Sequence, residues 1–293
     1  MGLCDPRVHF VFSFLYPNLK FCAIVIYKEK SRDSSVVNLL GSIGNVVLGF
    51  FANCGRVAIF LFSTLRYGVR PPWYGHQILH QLVQVGYFSL PVVGLTAIFT
   101  GMVLALQSYT GFSRFSAEGA VATVVVLSMT RELGPVLAGL MVAGRVGASM
   151  AAEIGTMRVT EQIDALTTLS TNPFKYLVLP RIIAGFTMLP ALVLIADIIG
   201  VFGGYLVGVY KLGFNSANYI QQTWKYLETD DVVSGLVKAA AFGVIITTMG
   251  CYHGYQSGRG AEGVGRATTN AVVSASILIL FVNYALTALL FGK

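Results

Sequence analysis

Long apolar runs separated by short polar segments make up most of the chain after residue 84. A helix needs ~20 apolar residues to cross a bilayer. Five runs approach that length, and we predict spanning helices at residues 85–107, 117–143, 182–209, 232–252 and 267–291. The pattern therefore predicts an all-α integral membrane protein, and five spans place the two ends of this region on opposite sides of the membrane.

The composition agrees with this prediction. The 293 residues are 55% hydrophobic and 11% charged, which is too apolar for an ordinary soluble domain. The net charge of +7 comes from basic residues scattered singly between apolar runs, whereas nucleic-acid binding favours a basic stripe. We therefore expect this chain to contact lipid and no nucleic acid.

The N-terminal region is less regular. The segment 36–66 fits either a spanning helix or an amphipathic helix in the cytoplasmic interface, and its polar content and the arginines in its second half favour the interface. Residues 1–33 read as a poorly defined extension, because Pro17 and Lys20 interrupt their apolar run. We place a single membrane domain at 34–293.

The polar segment 144–180 separates the second predicted span from the third. It is rich in basic residues compared with the loops on the opposite side, so the positive-inside rule places it in the cytoplasm. Charged and apolar residues recur at spacings of three and four over 155–169, as in a short amphipathic helix, and Asn172-Pro173 is a turn signal that ends it. We predict a helix that docks on a cytoplasmic partner, with candidate contacts at Glu153, Arg158, Glu161 and Asp164.

Charged residues also lie inside the predicted spans. A charge at membrane depth is costly and usually faces protein or water. Arg131 and Glu132 fit either a buried ion pair between helices or a polar spot in an apolar cavity, suited to an amphiphile with a charged head. For Asp197 we expect a structural partner, either an arginine or backbone groups. We expect Lys238, near the start of its span, to extend its amine to the interface.

A tandem stripe of small residues occurs in the third span. It consists of Gly200, Gly204 and Gly208. Such a stripe lets another helix approach closely. It fits packing within the chain, and it also permits a homodimer.

Several enzymatic signatures are missing from the sequence. It contains no GxxxxGK[ST] motif, so any ATP hydrolysis must come from another chain. The cysteines stand apart without metal-ligand spacing, and His76 and His80 have no further ligand nearby, so we expect no metal site. We assign no catalytic residue, because no nucleophile accompanies the acidic side chains.

Five short sequences carry a family signature: RELGP at 131–135, AGRVG at 143–147, AEIGTM at 152–157, TEQ at 160–162 and GRATT at 265–269. Together they resemble the MlaE-type permease family. These proteins are the membrane subunits of lipid ABC transporters in the maintenance-of-lipid-asymmetry and mammalian-cell-entry (MCE) systems. The resemblance covers about residues 38–293.

The resemblance implies a homodimeric permease with one interfacial helix and five spans, moving phospholipid or a similar amphiphile. It implies two partners, namely a cytoplasmic ATPase that holds ATP and Mg and a periplasmic ring of MCE-domain proteins, while this chain itself binds no cofactor. The location implied is the bacterial inner membrane, with the plastid inner envelope as the alternative. Matching motifs imply a coupling helix at about 155–169 and a lipid pocket lined by Leu104, Phe115, Arg131, Glu132 and Leu133.

Two other functions are open from the residues alone. An ion-coupled secondary transporter would use Asp197 and Glu132 without an ATPase, and inverted repeats, which we do not find, would support it. A lipid-modifying membrane enzyme would use Glu132 or Asp197 as a general base. It is disfavoured because no nucleophile or metal set accompanies them.

Overall fold

The computed structural model describes residues 44–45, 47–49, 51–68, 74–115 and 118–291, without the side chains of 115 and 118. Regular structure in these ranges is helical, with no strand. Six helices there are long and apolar enough to cross a membrane. The predicted fold class, an all-α integral membrane protein, is confirmed. The extension predicted at 1–33 lies outside the described residues, and so does its boundary, which stays a prediction.

The described helices are numbered in chain order. They are α1 (Val47–Gly68), α2 (Gly75–Val85), α3 (Leu90–Phe112), α4 (Val121–Val159), α5 (Gln162–Thr168), α6 (Phe174–Lys211), α7 (Ser216–Tyr226), α8 (Thr229–Tyr255) and α9 (Gly260–Phe291). The five predicted spans correspond to α3, α4, α6, α8 and α9. Helix α1 also has the length and composition of a span, and its predicted place in the interface stays a prediction.

Helices α6 and α8 form the centre of the bundle. Helix α6 packs on α2, α3 and α8, and α8 packs in addition on α4 and α9. Glycines allow the closest approaches: a Cβ added to Gly101 would collide with the backbone of Gly200, and one added to Gly185 would collide with Thr247. Gly204 faces the side chain of Val125 and the backbone of Gly101. The prediction that the α6 glycines serve packing within the chain is confirmed.

The cytoplasmic segment differs from the single helix predicted over 155–169. Helix α4 continues to Val159, and the chain then breaks at Glu161, whose φ of 58° is left-handed. A separate short helix, α5, follows. The prediction of one helix was wrong because the apolar and charged spacing carries across the break. The turn predicted at Asn172-Pro173 is present, with Oδ1 of Asn172 accepting a hydrogen bond from the backbone N–H of Phe174.

Candidate functional site

A π-helical turn within α4, Met129–Leu133, presents the two charged residues of the first motif. A turn of this kind carries an extra residue and commonly marks a functional position in a helix. Pro135 follows it and has no N–H to donate to the carbonyl of Arg131, four residues earlier. That carbonyl oxygen accepts a hydrogen bond from Nζ of Lys238 at 2.9 Å instead. The π turn and the proline thus open α4 to a side chain from α8.

Glu132 lies at the centre of a polar cluster that joins three helices. Its Oε1 lies 2.7 Å from Nζ of Lys238 in α8 and accepts a hydrogen bond from Oγ1 of Thr287 in α9 at 3.0 Å. Its Oε2 accepts a hydrogen bond from Nδ2 of Asn283 at 2.9 Å. Lys238 is 0% exposed. The expectation that Lys238 extends to the interface was therefore wrong, because its ammonium group turns inward to an acid one helix away.

Arg131 pairs with a different acid. Its Nε and Nη2 both lie 2.5 Å from Oδ1 of Asp231, which is 1% exposed near the start of α8. The other oxygen, Oδ2, accepts from the backbone N–H of Glu228 and completes the capping box of α8. The Arg131 guanidinium also lies 4.7 Å from the centre of the Phe291 ring. One carboxylate thus both caps α8 and ties it to the π turn of α4.

The sequence left two interpretations of these charges open. One of them, ion pairing between helices, is present in the structure. Their partners, however, are Asp231 and Lys238, and Arg131 and Glu132 are not paired with each other. The position of Lys238 inside a predicted span was a signal from which its pairing with an acid could have been inferred. No such signal pointed to Asn283, because a single amide in an apolar run has no distinctive spacing.

Two apolar members of the predicted pocket pack against a common core. Leu104 in α3 and Leu133 in α4 pack against the same small core, made of Ala105, Val121, Val125 and Met129. Both leucines are partly exposed. The side chain of Phe115 is not among those described. The structure therefore places Leu104 and Leu133 against one shared core, and their assignment to a lipid pocket stays a prediction.

Asp197 departs from the expectation of a structural partner. It is 8% exposed, and its Oδ1 has no hydrogen-bond partner among the described residues. None of the described arginines pairs with it, and Arg131 is bound to Asp231 instead. A Cβ on Gly134 would collide with this oxygen, so the carboxyl group packs directly on the backbone beyond the π turn.

The candidate docking residues are arranged around the end of α4. Glu153 lies 2.9 Å from Nη2 of Arg181, which is 3% exposed near the start of α6. Arg158 at the end of α4 forms an ion pair of 2.9 Å with Asp164 in α5. Glu161 is exposed at the break between the two helices. Glu153 therefore ties α4 to α6, while Arg158 and Asp164 hold α5 against the end of α4.

Helix α5 is fixed to the bundle by one apolar residue. Ile163 is 0% exposed, and the charged residues Glu161 and Asp164 on either side of it are exposed. The short helix therefore has a buried contact and a free polar face. Such an arrangement suits a surface that a soluble protein binds.

The fold and the two buried ion pairs define a multi-pass α-helical membrane protein with charges fixed at the joints between its helices. Comparison with known proteins identifies the group more closely. The model of the family described as "Permease MlaE" matches residues 78–289, and the chain belongs to this family.

Individual relatives agree with the family match. A "Probable ABC transporter permease protein" of Rickettsia felis is 63% identical over 256 residues, which cover 87% of this chain and 99% of the relative. The "Intermembrane phospholipid transport system permease protein MlaE" of Haemophilus influenzae is 36% identical over 262 residues, which cover 88% and 99%. The chloroplastic protein TRIGALACTOSYLDIACYLGLYCEROL 1 of Arabidopsis thaliana is 36% identical over 213 residues, which cover 73% and 61%. The chain is accordingly a permease subunit of the ABC transporter type.

Proposed function

We propose that this permease moves phospholipid, or a similar amphiphile, between the bacterial inner membrane and a periplasmic MCE-domain partner. The observation that carries the proposal is the 36% identity to the Haemophilus permease named for intermembrane phospholipid transport, which extends over 99% of that protein. The plastid envelope is the alternative location, since a chloroplastic relative matches a shorter part of the chain.

The polar cluster supports a lipid path beside α3 and α4. Arg131 keeps 37% of its side chain exposed and Glu132 keeps 38%, although their partners Asp231 and Lys238 are buried. The cluster therefore presents a partly exposed cation and a partly exposed anion on α4, the helix whose Met129 contributes to the core that Leu104 packs against, and this suits an amphiphile with a charged head group. The buried partners hold both groups in place.

A separate ATPase subunit supplies the energy in this proposal, and ATP and Mg bind to that subunit. The free polar face of α5 is the proposed contact. The buried Ile163 carries a displacement of α5 to the bundle, and the ion pair between Glu153 and Arg181 carries it from α4 to α6. A homodimer of this chain completes the proposed assembly.

The polar cluster gives no support to a lipid-modifying enzyme. Both oxygens of Glu132 are occupied by Lys238, Asn283 and Thr287. A general base needs a free oxygen within hydrogen-bond reach of the proton that it removes. Asp197, the other candidate base, has no cysteine, histidine or second acidic residue among the residues that line its cavity, so we keep the transport proposal alone.

The test is ATP-dependent lipid movement by the reconstituted complex. The chain is co-expressed with the Walker-motif ATPase and the MCE-domain protein of the same organism, purified, and placed in liposomes containing a fluorescent phospholipid. We expect ATP-dependent transfer of the label between the bilayer and the MCE-domain protein. A photo-crosslinking residue at Leu104 should capture phospholipid, whereas one at the exposed Tyr210 of α6, far along the chain from the cluster, serves as the control. The proposal would be contradicted if the three proteins did not purify as one complex. Equal capture of lipid at Leu104 and at Tyr210 would also contradict it.

A further inference from the structure

A cavity lies apart from the charged cluster. It has a volume of about 540 Å³ and opens at the surface between α4, α6, α7 and the start of α8. Cavities of this size are typical of small-molecule sites. Its walls are mostly apolar, with Leu194, Ile198, Val201, Phe202 and Trp224 among the lining residues. Neither Arg131 nor Glu132 lines it.

Two unsatisfied polar groups also line this cavity. Oδ1 of Asp197 and the hydroxyl of Tyr219 are both buried without a hydrogen-bond partner within the described part of the chain. Burial raises the pKa of Tyr219 to about 12, so its hydroxyl stays neutral at physiological pH. Thr130, a third polar lining residue, is already occupied, because it donates to the carbonyl of Val126 at 2.9 Å. Oδ1 of Asp197 and the Tyr219 hydroxyl oxygen are both closed off in the folded bundle. The other oxygen of Asp197, Oδ2, is not closed off in this way and also has no hydrogen-bond partner among the described residues, so it is the acceptor that the cavity offers to a ligand.

No cation among the described residues pairs with Asp197. Arg131 of α4 and Lys238 of α8, two helices that adjoin α6, are held by Asp231 and Glu132. Backbone packing at Gly134 closes one side of the carboxyl group. An unpaired carboxylate at membrane depth is costly, and such residues usually mark a ligand or ion path. The cavity is therefore the side from which a partner can reach Asp197.

We propose that this cavity binds an amphiphile that carries a primary ammonium group. The ammonium has three N–H donors and no acceptor, which matches the acceptor oxygen of the Asp197 carboxyl group. The alkyl chain lies along the apolar wall that includes Ile198 and Phe202. An anionic head group would gain no such contact, because no lysine, arginine or histidine is among the residues that line the cavity.

The cavity and the charged cluster lie on opposite sides of one structural element. Thr130 of the π turn lines the cavity, and the next two residues, Arg131 and Glu132, form the ion pairs to α8. A ligand in the cavity therefore contacts the turn that positions those pairs. Binding itself is independent of the transport proposal and is measured without an ATPase.

The experiment compares three photoactivatable probes: a primary amine, an alcohol and a carboxylic acid. All three carry a chain of about sixteen carbons, a length chosen to suit the volume of the cavity. The full chain is placed in nanodiscs of phosphatidylglycerol, and labelled peptides are identified by mass spectrometry. We expect the amine to label α6 and α7 about tenfold more strongly than the alcohol does. A tenfold difference in affinity is about what one charge-assisted hydrogen bond contributes. Asp197→Asn should reduce amine labelling to the alcohol level. Asp230→Asn, which removes an exposed carboxylate at the start of α8, should leave it unchanged.

Equal labelling by amine and alcohol, or full labelling of Asp197→Asn, would overturn the proposal. If Asp197→Asn does not fold, the variant Ile198→Trp replaces it, because a larger side chain on the exposed wall narrows the cavity. Undiminished amine labelling of Ile198→Trp would equally overturn the proposal. Added phosphatidylethanolamine separates two sources of the same chemistry. Competition by this lipid identifies a lipid head group as the occupant, and Asp197-dependent labelling without competition identifies a free cationic amphiphile.

Discussion

The substitution Lys238→Met should destabilise the protein strongly, because it removes the counter-ion of a carboxylate within the bundle. Lys238 is fully buried and donates hydrogen bonds to Glu132, to the carbonyl of Arg131 and to Thr287. Methionine has a similar volume and none of these donors. Breaking one side of a buried pair costs about 3–5 kcal/mol, and the 38% exposure of Glu132 lets solvent screen part of the loss. We therefore expect about 3 kcal/mol.

The assay is the midpoint of thermal unfolding of the purified protein in one detergent at one scan rate. A loss of about 3 kcal/mol corresponds to a fall of the order of 5–10 °C. Lys211→Met, which removes an exposed lysine at the end of α6, is the matched control and should shift the midpoint by less than about 2 °C.

A double-mutant cycle distinguishes the pair from a general effect of burial. Adding Glu132→Gln to Lys238→Met removes the unpaired charge, so the double variant should be more stable than the sum of the single losses by about 2 kcal/mol. Part of the loss should remain, because the carbonyl of Arg131 still lacks its donor, at about 1 kcal/mol. A Lys238→Met midpoint within the range of the control, or strictly additive losses in the double variant, would refute the ion pair.

Further predictions concern the packing, the docking surface and the N-terminal region. Gly101→Ala should cost about 1–3 kcal/mol by overpacking, whereas Gly111→Ala, also in α3 but with open space around it, should be neutral or slightly stabilising in the same unfolding assay. Changing Glu161 and Asp164 together to lysine should weaken co-purification with the ATPase and abolish its lipid-stimulated hydrolysis, and an unaltered complex would remove the docking assignment of α5. Deletion of residues 1–33 should leave membrane insertion and transport intact, and failure of the truncated chain to accumulate would show that the extension is needed for folding.

The sequence by itself determined the class of fold. Apolar runs of nearly bilayer length have few stable alternatives, because every backbone N–H and C=O inside a membrane must be paired within the protein. The spans predicted from 182–209 and 232–252 accordingly lie within α6 and α8. The short motifs around Arg131 likewise carried the family, since they combine a charged pair, a glycine and a proline in an apolar setting.

The sequence was less informative about ends and breaks of helices. Helix α4 runs past residue 143 to Val159, because a helix that leaves the bilayer needs no change of composition to continue. The break at Glu161 depends on one left-handed residue. Spacing of apolar and charged residues does not report such a backbone angle, and the same spacing therefore predicted one helix where the structure has two.

Only the tertiary structure decided which charges meet. The sequence showed four charged residues inside the spans, but the partner of Arg131 lies 100 residues away and that of Glu132 lies 106 residues away. Their pairing depends on the rotation of α8 against α4, which the close contact of Gly235 with the backbone of Thr130 helps to set. The same packing leaves Asp197 facing a cavity without a partner. Hydropathy records how costly a buried charge is, whereas its compensation depends on neighbours that the folded bundle alone brings together.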